Sequence, residues 1–335
     1  MRNHLSLPIN EDTQVSDARR VAVNLVYELG FDDTDAGRVA IVATELARNL
    51  SEHGNGGELL MCTMDSPRRP GLEFIAIDKG PGMGDFEACM RDRYSTPGNA
   101  GTGLGAVQRA TDFMDVYSAK GHGTAILGRV FQKSAAESMP KSFDVGAVSV
   151  PVRGETQCGD AWLVSGDGGR VLAMIADGLG HGPDAAKAAE EAVRLLRESP
   201  QSDLCDIIDD MHAALRSTRG AAVSLAELRP GSSQVRYAGV GNIAGVIVDS
   251  HSPRSMVSHN GTVGHAVGWC QEFTYPWSRR ALLVMHSDGI STQWDLNRYP
   301  GLKMRDPSLI AAVIYRDYKR SRDDATVVVA REHVA

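Results

Sequence analysis

Three things this chain lacks each argue against a class of function. It has no basic stripe: 35 lysines and arginines are outweighed by 42 aspartates and glutamates, for a formal charge of −7. With no cationic patch to neutralise phosphates, general nucleic-acid binding is not expected. It has no apolar run near the roughly 20 residues a membrane helix needs. Its first residues also show no signal-peptide pattern, so the expectation is no membrane insertion and a cytoplasmic location. It has no cysteine pair at metal-ligand spacing. Cys62, Cys89, Cys158, Cys205 and Cys270 are scattered, which fits free thiols in a reducing compartment. No internal repeat is visible, and no Cys-x5-Arg loop offers a covalent nucleophile. What remains is ordinary globular composition, 42% hydrophobic and 23% charged, over 335 residues, enough for about two domains.

Periodicity gives the organisation. Val15 to Leu29 has the spacing of an amphipathic helix. Asp33 and Thr34 offer an N-cap to a second helix burying Ala36, Val39, Ala40, Ala43, Leu46, Ala47 and Leu50, which Gly54 to Gly57 stops. Strands are expected over Glu58–Met64, Leu72–Ile77, Asp115–Ser118 and Thr124–Val130, with a helix over Ala106–Phe113. Gln132 to Lys141 is small, polar and aperiodic and reads as a linker. Beyond it, strands are expected over Val145–Val152, Ala161–Val164, Val171–Ala176, Val235–Gly239, Ala244–Val248, Leu282–His286 and Thr326–Ala330. Helices are expected over Pro183–Glu198, Asp203–Arg216 and Pro307–Arg320. Domains are therefore drawn at 1–132 and 143–335, with the linker at 133–142.

The first half carries Glu45 and Asn49, four apart on one helix face. An Asn carbonyl is a fair Mg2+ ligand, and a neighbouring Glu can hold water or accept a hydroxyl proton. Asp78 ends an apolar strand, where its carboxylate can accept from an exocyclic amine, and Gly80 and Gly82 allow close backbone approach. Gly101-Thr102-Gly103-Leu104-Gly105 precedes a helix, and its free amides can cradle phosphates. Singly, such signals are most often solvated helix faces and turns. In this order they resemble the GHKL ATPase superfamily, and within it the RsbT-type switch kinases, over nearly all of residues 1–130. Tyr94-Ser95-Thr96 and Gly121-His122-Gly123-Thr124 belong to the same match. The resemblance implies ATP with adenine on Asp78, a nucleotide site completed by Gly80, Gly82, Gly101, Gly103, Gly105 and Thr124, Mg2+ on Asn49, and Glu45 as candidate base. No phosphoacceptor histidine helix precedes the domain, so a sensor histidine kinase is not expected.

In the second half Asp160, Asp177, Asp288 and Asp323 each stand beside small residues at an end of an apolar strand. Strand ends can converge, and hard oxygen ligands suit Mg2+ or Mn2+. Two such ions can clamp a phosphoryl group without a protein nucleophile. An isolated Asp-Gly is usually a hairpin turn. The ordered series Cys158-Gly159-Asp160, Asp177-Gly178-Leu179-Gly180-His181-Gly182, Ser287-Asp288-Gly289 and Asp323-Asp324 resembles the PPM-type phosphatases of the SpoIIE/RsbX branch, over roughly residues 145–332. That resemblance implies a catalytic Asp177 bridging two Mn2+ or Mg2+, with the Gly178 carbonyl on one of them. Asp288 and Asp323 then complete a site, Asp160 supports the second, and Asp324 lies outside the ligand set. His181 is expected to cap the helix that Pro183 opens.

The expected fold is thus α+β. An N-terminal GHKL α/β sandwich, with helices on one face of a mixed sheet, is followed by a C-terminal PPM-type αββα sandwich. The expected function is a bifunctional regulator of a partner-switching pathway, an ATP-dependent Ser/Thr kinase joined to a metal-dependent Ser/Thr phosphatase. Its implied partners are STAS-domain antagonist or scaffold proteins, with a sigma factor or an output phosphatase downstream. The alternative makes the first half a nucleotide-responsive binding module that sequesters a sigma factor or STAS protein without phosphorylating it.

Overall fold

The computed structural model describes residues 3–64, 70–83, 103–133, 142–167, 169–199, 202–249 and 252–333. The chain forms two compact units. One takes in residues 2–139 and 295–316, the other residues 140–294 and 317–335 together with Met1.

In the first unit, helix α1 (Asp12–Glu28) starts at a capping box between Glu11 and Gln14 and buries Val15, Ala18, Ala22 and Val26. Helix α2 (Asp33–Glu52) starts at Asp32, one residue before the expected cap, with the Asp32 side chain accepting from the Asp35 amide. Both helices turn small and branched apolar residues toward an antiparallel sheet. Its strands are β1 (Leu5–Ile9), β2 (Gly57–Met64), β3 (Gly71–Asp78), β4 (Phe113–Ser118) and β5 (Thr124–Phe131), in the order β1-β2-β3-β5-β4. Every pairing is antiparallel, where a mixed sheet was expected. The short strand β1 was not foreseen. Helix α3 spans Gly103–Ala110, so it begins three residues before the expected Ala106, and Phe113 opens β4 instead of closing the helix. Ala18, Val39 and Leu46 share one core with Leu59, Leu72, Phe74 and Val130.

The opposite face of this sheet follows from strand alternation. Glu58, Glu73 and Arg129 point away from the residues that meet α1 and α2, and each bonds to the 295–316 segment. The Tyr315 hydroxyl donates to Glu58 Oε2 (3.1 Å) and Ser308 Oγ to Glu73 Oε2 (3.3 Å). Arg129 grips both Asp306 oxygens at 3.0 and 3.1 Å. The helix involved, Pro307–Tyr318, is apolar on all sides, and Leu309 through Tyr315 are buried. A helix with no polar face must be covered all round. The sequence places this stretch in the C-terminal half; up to Arg316 it groups with the first unit instead.

The second unit is a sandwich of two antiparallel sheets. Sheet one runs β15 (Phe273–Pro276), β10 (Gln234–Val240), β9 (Ala221–Leu228), β8 (Arg170–Gly178), β7 (Asp160–Asp167). Sheet two runs β12 (Arg254–Met256), β11 (Ala244–Val248), β16 (Leu282–His286), β17 (Ala325–Glu332), β6 (Phe143–Val150). Two-residue strands β13 (Gly261–Thr262) and β14 (Ala266–Val267) pair separately. Ile175, Tyr237, Leu283, Met285 and Val328 fill the space between the sheets. Helices α4 (Pro183–Glu198) and α5 (Leu204–Ala214) cover sheet one through Ala188, Ala192, Leu196, Ile207 and Met211. The Pro307–Tyr318 helix is numbered α6. Strand β9, central to sheet one, and the short strands after β11 were missed from sequence.

The cysteines correct an expectation. Cys62 and Cys158 are free and buried, but Cys205 and Cys270 form a disulfide between Cα atoms 5.5 Å apart; Cys89 lies outside the described residues. A separation of 65 residues is invisible to spacing rules. The fold brings the pair together where Glu272 Oε1 accepts the Leu204 and Cys205 amides opening α5. Closing so long a loop stabilises a fold by up to roughly 4 kcal/mol. A Cys270→Ser chain is therefore expected to melt lower than the parent in the absence of reductant. Equal melting temperatures would show that the bridge contributes nothing.

Candidate functional site

Glu45 and Asn49 stand on α2 facing the start of α3. A Cβ added at Gly103 would lie 3.2 Å from Glu45 Oε2 and 3.4 Å from Asn49 Oδ1. Gly103 and Gly105 thus sit in the first turn of a helix, not in a free loop, because a turn without side chains can lie against α2. Gly101 and Tyr94-Ser95-Thr96 lie outside the described residues. Asn49 Nδ2 is buried without a hydrogen-bond partner among the described residues, an arrangement that a bound polar group would relieve. Glu45 Oε1 accepts Arg48 Nη1 at 3.1 Å and borders a groove of about 600 Å³ between α1 and α2 that Asp12, Arg19 and Ile41 also line.

Asp78 is the last residue of β3 and is buried. Its Oδ1 accepts the Gly80 amide at 2.8 Å and the Thr124 amide at 3.1 Å. Burial pushes this carboxyl above its ordinary range, and the two amides pull it partly back. Gly82 has φ +70°, and a Cβ there would fall 2.1 Å from the Ala119 carbonyl oxygen. Thr124 and Ser118 share a hydroxyl contact of 2.9 Å. Sequence reasoning treated Gly54 as a helix stop only. A Cβ on it would meet Asp78 Cβ at 2.9 Å, so it also makes room for the aspartate. Arg316 was missed altogether: its Nη1 donates to the Asp78 carbonyl at 2.8 Å.

In the second unit, Asp160 opens β7 and Asp177 lies opposite it near the end of β8. Asp160 Oδ2 accepts Ser287 Oγ at 2.7 Å, and Ser287 Oγ accepts the Thr326 amide at 3.0 Å. Asp288 Oδ2 accepts Asn242 Nδ2 at 2.6 Å. Burial raises the Asp177 carboxyl, and the charges of Asp160, Asp288, Asp323 and Asp324 raise it further. Asp288 is raised by burial and then by Asp323. Asp160 is raised by burial, against the hydroxyls of Ser287 and Thr326. Five carboxylates thus lie within electrostatic reach of one another.

Asp324 holds the chain together: its two oxygens accept the Val152 and Gly159 amides at 2.7 and 2.8 Å. Glycine is required at Gly289, where a Cβ would fall 1.8 Å from the Asp324 carbonyl oxygen, and at Gly178, where it would fall 2.1 Å from that of Ala185. His181 does not cap α4. It pairs with Glu155 at 2.9 Å, and the cap residue is Gly182, with no side-chain bond.

Among the described residues no three histidine, cysteine, aspartate or glutamate side chains converge as a metal-holding group. A ligand set that draws on a backbone carbonyl and water needs fewer side chains. The donor chemistry fits a hard divalent cation, since every candidate ligand is an oxygen. Among the described residues no helix is long and apolar enough to cross a membrane.

Known proteins match both halves. Residues 9–127 match the family model "Histidine kinase-like ATPase domain", and residues 167–333 match "Stage II sporulation protein E (SpoIIE)". The serine/threonine-protein kinase RsbT of Bacillus subtilis (strain 168) is 33% identical over 126 residues, covering 38% of this chain and 95% of RsbT. The phosphoserine phosphatase RsbX of the same organism is 25% identical over 142 residues, covering 41% of this chain and 70% of RsbX. A solved structure from work on the bacterial stressosome as a modular system adapted to control secondary messenger signaling is 30% identical, with a TM-score of 0.53. The match spans 57% of this chain and all of that one. RsbX in complex with magnesium shares the fold, at 20% identity and a TM-score of 0.52 over 58% of this chain and 98% of that one. The chain belongs, through its N-terminal part, to the family of RsbT, the histidine kinase-like ATPases, and joins to it a phosphatase domain of the SpoIIE type.

Proposed function

We propose that the chain is a bifunctional regulator that both adds phosphate to and removes it from serine or threonine on STAS-domain proteins of a partner-switching pathway. The observation that carries this reading is the presence of two separate acidic centres in two compact units, one resembling each chemistry. In the kinase half Asp78 would hold the adenine amine, Asn49 would ligate Mg2+, and the start of α3 would face the phosphates. Glu45 would accept the proton of the acceptor hydroxyl, with the α1/α2 groove beside it open to an acceptor protein. In the phosphatase half Asp177 and the Gly178 carbonyl, with Asp288 and Asp323 and support from Asp160, would hold two Mn2+ or Mg2+. Such ions polarise an attacking water and neutralise charge on the phosphoryl group. Ser287 and Thr326 hold the Asp160 carboxylate, Asn242 holds Asp288, and Asp324 fixes the loops that carry the ligands. A resetting enzyme in the same chain suggests different acceptors for the two halves, since both acting on one would only consume ATP.

One observation favours the adaptor reading. Glu45 is paired with Arg48 through Oε1, so part of its carboxylate is engaged within α2 and is not held ready for an acceptor hydroxyl. A transfer assay with labelled ATP and STAS proteins from the same genome separates the two. On the kinase reading, Glu45→Ala loses roughly 100-fold or more in transfer while hydrolysis of an aryl phosphate continues. Tight STAS binding without any transfer by the unmodified chain would favour the adaptor.

A further inference from the structure

Helix α6 (Pro307–Tyr318) begins and ends in different surroundings. Its first turn is tied to the first unit's sheet through Asp306, Ser308, Glu73 and Arg129. Near its end the buried Arg316 reaches the carbonyl of Asp78. Arg316 Nη1 would lie only 2.9 Å from a Cβ placed on Gly123, whose φ is +68°, so the turn before Thr124 packs directly on the guanidinium. The Thr124 amide in turn donates to Asp78 Oδ1. Arg316, Gly123, Thr124 and Asp78 therefore form one small, filled arrangement with no slack.

The chain leaves this unit between Arg316 and Asp317. Within the next four residues it is fixed again. The Ser291 amide donates to the Tyr318 carbonyl at 2.9 Å, and the Arg320 amide donates to the Gly289 carbonyl at 2.7 Å. Ile290 and Lys319 form an antiparallel bridge. Gly289 follows Asp288 and lies against the Asp324 backbone, with no room for a Cβ. Arg316, bonded to the Asp78 carbonyl, is thus two and four residues in sequence from Tyr318 and Arg320, whose backbones are held by Ser291 and Gly289 in the other unit.

We infer that Arg316 is a positioning residue for the Asp78 turn and that α6 carries the state of that turn to the Asp288–Asp323 segment, so that nucleotide at the first centre alters turnover at the second. The inference rests on the proposed nucleotide reading of Asp78. Its physical basis is that Asp78 serves both ends: its carboxylate would take the base and its carbonyl takes Arg316. A ligand that shifts this residue acts on the guanidinium directly. Such coupling requires the ligand to interact differently with two arrangements of the helix end. The Arg316 bond supplies a contact that can differ between them.

The test uses the full chain with Mg-ADP as the probe, so that phosphotransfer does not intervene. Calorimetry confirms saturation, and hydrolysis of p-nitrophenyl phosphate is measured with and without the nucleotide. The parent is expected to change rate about fivefold on saturation, in either direction. Arg316→Met should lose that change, and Arg316→Lys, which keeps a donor and the charge, should regain part of it. A purely structural role would alter both rates together and leave their ratio intact. A ratio unchanged in Arg316→Met, or a parent that binds Mg-ADP with no change in rate, overturns the inference while leaving the nucleotide site standing. A folded parent that binds no Mg-ADP overturns the nucleotide site itself, and the inference with it. If Arg316→Met fails to fold, Arg316→Lys decides. A response reduced below the parent's at saturation, with an unchanged melting temperature, supports the coupling; a response equal to the parent's overturns the inference.

Discussion

Asp177→Asn is expected to lose phosphatase turnover while melting at the same temperature as the parent, or higher. Both halves of that result come from one feature. Asp177 lies opposite Asp160 across β7 and β8, half-buried, and its carboxyl is raised by that desolvation and then by the charges of four neighbouring aspartates. Without a cation, this carboxylate is a liability to the fold. Replacing it with a neutral amide of the same shape relieves the repulsion, which is how a functional site costs stability. The same replacement removes the proposed bridge between two ions. The loss should therefore exceed the roughly 10–100-fold that altering an outer partner costs. Ser287→Ala, which removes the hydroxyl held by Asp160, supplies that outer comparison. Rates on p-nitrophenyl phosphate with Mn2+ or Mg2+, and in chelator, check the claim alongside thermal melts. Turnover in Asp177→Asn equal to that of Ser287→Ala, or full activity in chelator, would remove the two-ion reading.

Why some elements were legible and others not has physical causes. Helices α2 and α4 announce themselves because each has one apolar stripe and a clear start, Asp32 with Asp35 in one and Pro183 in the other. Strands such as Leu282–His286 read as short apolar runs and were placed to the residue. Strand β9 (Ala221–Leu228) is buried along its whole length, so its alanines, with Ser224 and Glu227 among them, show no clean polar-apolar alternation, and it was missed. The disulfide and the Arg316–Asp78 bond join residues 65 and 238 apart. No local pattern encodes such pairs. Helix α6 shows the difference between an element and its place. Its length was nearly right from the sequence. Its buried circumference was equally visible, since Leu309 to Ile314 leave it no polar face, but what covers it belongs to tertiary structure.

The acidic motifs were recognised because turns and ligands use the same few residues in a fixed order. What each residue touches was not readable. Asp324 was placed outside the ligand set by resemblance alone, and the structure shows its oxygens spent on two backbone amides. Gly103 and Gly105 looked like a phosphate loop because glycine is rare inside helices. Here they begin one, since the small side matters more for contact with Glu45 and Asn49 than propensity does.

Arg129→Met is expected to destabilise the first unit by about 3–5 kcal/mol and to change how its stability depends on acid. Arg129 reaches Glu73 through Nε at 2.7 Å and both oxygens of Asp306 through its terminal nitrogens. All three side chains are largely buried. Without the guanidinium, two carboxylates would remain in a poorly solvated place, and that penalty, more than the lost attraction, sets the size of the effect. Methionine keeps most of the volume, so a cavity is not the cause. For Glu73, burial works to raise the carboxyl, but Arg129 and then His4 outweigh it and bring it from 4.5 to about 2. A carboxyl lowered on folding stabilises the native state above its unfolded value, and that contribution is lost as pH falls through the folded one. The parent should therefore lose stability between pH about 4.5 and about 2, by an amount on the order of a few kcal/mol. In Arg129→Met the desolvation penalty is no longer outweighed, so the loss over the same range should shrink. Calorimetric melts of the full chain across this range, with the first unit's transition followed in both proteins, test the claim. A variant as stable as the parent at neutral pH, or one with an identical acid profile, would show that the Glu73–Arg129–Asp306 network does not hold α6 to the sheet.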